Sequence, residues 1–170
     1  MAIRKIIYIP DPRLRKMSKP VEVFDEALHT LIDDMFETMY HAKGVGLAAP
    51  QIGINIRLSV VDCSSSEDMK PLVLVNPEIV EASDIVEFKE GCLSVPGSYD
   101  IVKRPSKVKL RAQDRHGAFY EMNAEGLLAE CFQHEIDHLD GKLYIDYLSP
   151  VKRQLARQKV EKIVRQNKKK

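Results

Sequence analysis

The chain predicts an α+β fold, with antiparallel or mixed sheets packed around a central helix and a further helix at the C-terminus. Three observations carry this. Apolar residues recur at helical spacing near the start and over the last third of the chain; the stretch from Ile54 to Met122 breaks into short β-branched runs separated by turn residues; and no strand–helix–strand alternation points to a parallel sheet.

The first helix is expected between Asp25 and Ala42, where Leu28, Leu31, Ile32, Met35, Phe36 and Met39 form one apolar stripe, Asp25 caps the start and Gly44 stops the end. These residues read as core. The strand runs are Leu58–Val61, Leu72–Val75, Ile85–Phe88, Ile101–Val102, Val108–Ala112 and Phe119–Met122, with Asp114–Gly117 as a hairpin turn between the last two. Ser64, Ser65 and Ser66, followed by Glu67 and Asp68, read as a surface loop. A second helix runs from Gly126 to Asp140 and ends at Gly141; a third begins near Pro150.

The 170 residues, 44% hydrophobic and 30% charged, fit one compact domain and exclude disorder. No apolar run approaches the roughly 20 residues of a membrane helix, and the N-terminus lacks the apolar core of a secretory signal, so a cytoplasmic protein with no membrane partner is expected. Cys63, Cys92 and Cys131 include no Cys-x-x-Cys pair, which argues against a disulfide scaffold. Charge divides the chain: residues 151–170 carry +8 and residues 1–150 carry −7. The expected organisation is a catalytic body over 1–150 and a basic C-terminal helix, 151–170, belonging to the same domain. On that helix Ala156, Val160, Ile163 and Val164 share one arc, while Val151 and Leu155 lie elsewhere.

The sharpest motif is His134-Glu135-Ile136-Asp137-His138 on the second helix. At about 100° per residue the two histidines leave the helix within about 40° of each other, with Cys131 beside them and Glu135 on the flank toward the apolar arc. Two imidazoles four residues apart with a carboxylate between them suit a divalent ion that activates water, the Glu serving as general base. A third ligand is needed. His29, His41 and His116 fall in the first helix, near its end and in the hairpin turn, which leaves the cysteines. Cys92 is favoured, because glycine and proline in Glu90–Gly97 hold the backbone off regular structure as a loop approaching a site requires. Cys131 is the second choice, and Cys63 reads as an inert small hydrophobe.

Three segments, Gly44–Gln51 (Gly-Val-Gly-Leu-Ala-Ala-Pro-Gln), Glu90–Ser94 (Glu-Gly-Cys-Leu-Ser) and His134–His138, resemble in order and separation the signature motifs of the peptide deformylase family. The similarity covers nearly the whole chain. It implies removal of the N-formyl group from the methionine of nascent chains, releasing formate. It also implies the ligand set Cys92, His134 and His138, ferrous iron as the usual ion with zinc or nickel able to replace it, and an oxyanion held by the Gln51 side-chain amide and the Leu93 backbone N–H. Residues Gly44, Val45, Gly46 and Leu47 are implied as the strand that holds the substrate. The methionine pocket is expected from Leu127 and Cys131 on the helix arc, with Val45 and Phe88 added by the resemblance. Glu90 and Arg104 are expected to pair and brace the cysteine loop. Two positions depart from the family pattern: Glu130, where many relatives are apolar, and Tyr99, where many carry Arg. The expected partners are formyl-methionyl nascent peptides and, through the basic helix, the ribosome, with no sequence-specific nucleic acid. The competing readings are a different H-E-x-x-H metallohydrolase such as a peptidase, and a ribosome- or RNA-binding module without catalysis.

Overall fold

The computed structural model describes residues 2–63 and 70–168; the expected Ser64–Asp68 loop lies outside the described residues. Among the described residues three α-helices, α1 (Glu26–His41), α2 (Gly126–Leu139) and α3 (Pro150–Lys168), accompany five strands, β1 (Gly46–Ala48), β2 (Leu58–Val61), β3 (Leu72–Cys92), β4 (Val95–Gln113) and β5 (Phe119–Glu125). The strands form one sheet in sequence order, antiparallel at every pairing, so the parallel component that a mixed sheet would contain is confined to an isolated Lys19–Ile56 bridge among the described residues.

Asp25 caps α1 by accepting from the Leu28 N–H at 3.0 Å, and the expected stripe buries Leu28, Leu31, Ile32, Met35 and Met39 against Leu47, Leu58 and Val60. Helix α2 touches all five strands, so it is the central helix. It stops at Gly141, whose φ of 77° is left-handed and where a Cβ would lie 2.5 Å from the Arg15 carbonyl oxygen.

The expected short strands merge. Leu72–Val75 and Ile85–Phe88 belong to β3, and Ile101–Val102 and Val108–Ala112 to β4, which pairs with β3 along almost its whole length. Pro96 and Gly97 read as breaks in the sequence, but the structure places them in the register shift at the Gly91–Cys92 end, and Pro77 lies in another between Val75 and Glu78, where an irregular step absorbs the missing ladder bond. The segment holding Cys92 is therefore the end of a long hairpin turning tightly at Leu93 and Ser94, rather than a loop.

Helix α3 docks through the expected arc. Ala156 and Val160 are buried with Ile7, Ile9, Val95 and Tyr144, and Val164 packs against them, while Val151 and Leu155 are exposed. Truncation at residue 150 would uncover that cluster, so charge substitution is the cleaner probe of the basic face. Among the described residues, no helix is long and apolar enough to cross a membrane.

Candidate metal centre and active site

Helix α2 presents His134 and His138 to the tip of the β3–β4 hairpin, which delivers Cys92. The three donor atoms lie within 4.8 Å of one another. Cys92 Sγ is 3.3 Å from His138 Nε2, and the two Nε2 atoms are 3.2 Å apart. Ligands bonded at about 2.0–2.3 Å around a tetrahedral ion stand about 3.3–3.6 Å from each other. A thiolate and two imidazole nitrogens at this spacing fit a divalent transition ion, and Cys131 is not part of the group.

Behind the three donor residues stands a buried polar chain. His134 Nδ1 lies 3.0 Å from Glu90 Oε1, so that a proton held on Nδ1 and donated to the carboxylate would free the Nε2 of a neutral ring for a metal. Arg104 forks onto the same carboxylate through Nε at 2.5 Å and Nη2 at 3.0 Å, and its Nη1 reaches Asp137 Oδ2 at 2.9 Å. Burial opposes the charge on Glu90, but the His134 and Arg104 hydrogen bonds outweigh it and hold the carboxyl below the usual range. The expected Glu90–Arg104 pair is thus present, and it extends to Asp137, which accepts from the Tyr147 hydroxyl at 2.8 Å. Two further polar residues of α2 are engaged as well: Asp137 meets Arg104, and Gln133 Nε2 donates to the Pro105 carbonyl at 2.8 Å.

Glu135 faces β1. It is 2% exposed, and burial pushes its carboxyl up to about 7. A Cβ at Gly46 would lie 2.9 Å from Glu135 Oε2, so only glycine lets the strand approach the carboxylate this closely. Gln51, also buried, is fixed at both ends of its amide. Its Oε1 accepts from the Ala48 N–H at 2.9 Å, and its Nε2 donates to Ser94 Oγ at 3.1 Å with Cys92 Sγ 3.6 Å away.

A cleft of about 360 Å³ opens onto this group. Its lining brings together Gly44, Val45, Gly46, Gln51, Cys92, Leu93, Leu127, Cys131, His134 and Glu135. His138 is buried beneath, at the cluster. One expected pocket residue, Phe88, and the side chain of one expected substrate-strand residue, Leu47, are off this lining. Leu47 is fully buried toward α1, because alternation along β1 turns Gly46 to the cleft and Leu47 away from it. Phe88 is outside the lining for the same reason: Lys89 and Gly91 take the cleft side of β3. Tyr99 and Glu130, the two departures from the family pattern, both line the cleft, Tyr99 lying over Gly91. Burial pushes the Glu130 carboxyl up to about 7, the Glu90 charge adding to the effect.

Sequence reading missed the N-terminal segment. The Ile7 N–H donates to the Gln51 carbonyl at 2.8 Å and the Ile9 N–H to the Ser94 carbonyl at 3.0 Å, so this strap ties the Gln51 turn to the Leu93–Ser94 turn. No local pattern signals such a contact. Tyr144, whose ring stacks on His134 at 6.3 Å, and Asp137 were also missed as supports; only the position of Asp137 inside the motif hinted at its part.

The family profile described as polypeptide deformylase matches residues 3–154. A peptide deformylase of Hahella chejuensis is 57% identical over 163 residues, covering 95% of this chain and 96% of its own. One from Alkalilimnicola ehrlichii is 52% identical over 166 residues, covering 98% and 93%. Among solved structures, a peptide deformylase from Legionella pneumophila superposes with a TM-score of 0.96 at 60% identity over 99% of both chains. The Ehrlichia chaffeensis enzyme, solved in complex with actinonin, gives 0.92 at 42% identity over 95% of this chain and 98% of its own. Matches this extensive, over a chain whose three motifs converge on one cleft, make it a member of the peptide deformylase family, the metal-dependent hydrolases that remove the N-formyl group from nascent peptides.

Proposed function

We propose that the chain deformylates N-formylmethionyl nascent peptides in the cytoplasm, with Cys92, His134 and His138 holding ferrous iron and with zinc or nickel as working substitutes. One observation carries the residue assignment: the buried Glu135 carboxylate and the pinned Gln51 amide flank the donor cluster within one cleft. When bound, the ion supplies Lewis-acid chemistry that lowers the pKa of water and polarises a carbonyl. Glu135, with a proton affinity raised toward neutrality, accepts the proton from the attacking water and delivers it to the departing amine. The Gln51 Nε2–H and the Leu93 backbone N–H donate to the oxyanion; Gln51 needs no reorganisation because Ala48 and Ser94 already hold it. Strand β1 lies at the sheet edge, and Gly44, Val45 and Gly46 offer its backbone to an extended peptide. Leu127, Cys131 and Val45 form the methionine wall; Phe88, being off the lining, is left out, and Leu47, its side chain buried, keeps only its backbone place in the β1 strand.

Residues 1–150 act as the catalytic body, and α3 serves as a basic helix of the same domain. Its Lys152, Arg157, Lys159, Lys162 and Arg165 are exposed, and among the described residues 151–168 Glu161 is the sole acid. Such a face attracts phosphate backbones without reading sequence, which suits ribosomal RNA where nascent chains emerge. The deciding assay is formate release from formyl-Met-Ala-Ser, run anaerobically with iron and again with nickel. Release supports the assignment. Internal peptide cleavage without formate would replace it with a peptidase.

A further inference from the structure

Cys63 and Cys131 take no part in the chemistry proposed above, yet their sulfurs are 3.2 Å apart. They come from different elements. Cys63 follows β2, whose end is tied down by the Asp62 N–H donating to the Val45 carbonyl at 2.8 Å, and Cys131 sits in the middle of α2. Both belong to the core between that helix and the sheet. A disulfide bond is about 2.05 Å long, so about 1.2 Å of movement closes the gap. The pair is also reachable, because Cys131 lines the cleft and a peroxide is little larger than water. The contact with Cys131 pulls the Cys63 thiol below its usual range, and the same contact, with burial, pushes the Cys131 thiol up.

We propose that Cys63 and Cys131 are a reversible oxidation site, converted by peroxide to a disulfide that reshapes the cleft wall at Cys131. A thiolate of the pair attacks one peroxide oxygen; the O–O bond breaks, hydroxide leaves and takes up a proton, and a sulfenic acid remains. The second sulfur then displaces the sulfenic hydroxyl as water and forms the S–S bond. In sum two thiols lose two electrons and two protons, and the peroxide becomes two waters. A dithiol reductant reverses the step by thiol–disulfide exchange. Drawing the Cys131 sulfur toward Cys63 moves it away from the methionine wall, a consequence that rests on the deformylase reading above.

The test uses the full-length, zinc-loaded protein, because zinc is redox-inert and keeps Cys92 ligated. After hydrogen peroxide treatment, unfolding, alkylation and digestion, mass spectrometry should find the Cys63 peptide joined to the Cys131 peptide, and dithiothreitol should separate them. Cys63→Ser, with Cys63→Ala as a second variant, should keep the untreated activity, form no link, and leave Cys131 alkylatable after peroxide. In the untreated-to-oxidised comparison, KM for the formyl peptide should rise about 3- to 10-fold in the parent and recover on reduction, as expected for lost substrate binding. Both thiols remaining alkylatable at a dose that oxidises the Cys92 thiol of metal-free protein, or a link running through Cys92, would overturn the site. A link with an unmoved KM would overturn its effect on the cleft. Because the link is read by mass, its absence and an absence of formate release are separate failures.

Discussion

Replacing Arg104 with Met tests how the metal centre is held. Arg104 is 4% exposed and Glu90 2% exposed, and the guanidinium makes two of the three hydrogen bonds to that carboxylate besides its bond to Asp137. Methionine fills similar space but leaves Glu90 charged and buried with His134 as its one remaining partner. Breaking a buried pair in this way costs about 3–5 kcal/mol. At about 2–4 °C per kcal/mol for a chain of this size, Tm should fall by about 6–20 °C. Loosening the carboxylate also loosens the tautomer and orientation of His134, which should weaken metal binding about 10- to 100-fold. Thermal unfolding of zinc-loaded and metal-free protein, with chelator competition for affinity, reads both effects. The pH dependence follows from sign. In the parent, Glu90 is held below its ordinary range, so its contribution is full above the ordinary carboxylate pKa and lost as pH falls through the lowered folded value. In the variant, burial acts against much weaker opposition and raises the carboxyl, so acidification neutralises Glu90 and the Tm gap to the parent should narrow between pH 8 and pH 5. Glu90→Gln combined with Arg104→Met removes the stranded charge and should recover most of the loss. A single variant melting within about 3 °C of the parent, with unchanged metal affinity, would refute the brace.

Cys92→Ala, His134→Ala and His138→Ala should each abolish stoichiometric metal and formate release together, as read by elemental analysis and assay; retention of full metal in Cys92→Ala would remove that residue from the ligand set. Glu135→Gln should keep metal and fold while lowering kcat about 10²- to 10⁴-fold, because an amide cannot cycle the proton; near-parental turnover would end its assigned role. Changing Arg157, Lys159, Lys162 and Arg165 together to Gln should spare hydrolysis of a free formyl tripeptide and abolish salt-sensitive co-sedimentation with ribosomes. Equal sedimentation of variant and parent at low salt would sink the ribosome proposal and leave the enzyme assignment standing.

The sequence by itself determined what depends on short-range periodicity. Helix α2 repeats every 3.6 residues, so placing His134 and His138 on one face with Glu135 alongside required no knowledge of the rest of the chain. The α1 stripe and the docking arc of α3 were legible for the same reason. Tertiary structure decided whatever depends on distant segments meeting or on the direction a strand faces. Cys92 reaches His138 across 46 positions, and Gln51 is fixed by Ser94 across 43. Pro96 and Gly97 look like breaks until the partner strand shows the register shift that accommodates them. Phe88 passes as a pocket residue until pairing fixes which face it presents, since in a strand one step in register exchanges core for cleft. The meeting of Cys63 with Cys131 is of the same kind: neither cysteine is marked by its neighbours in the chain, and only the packing of α2 against β2 sets their sulfurs side by side.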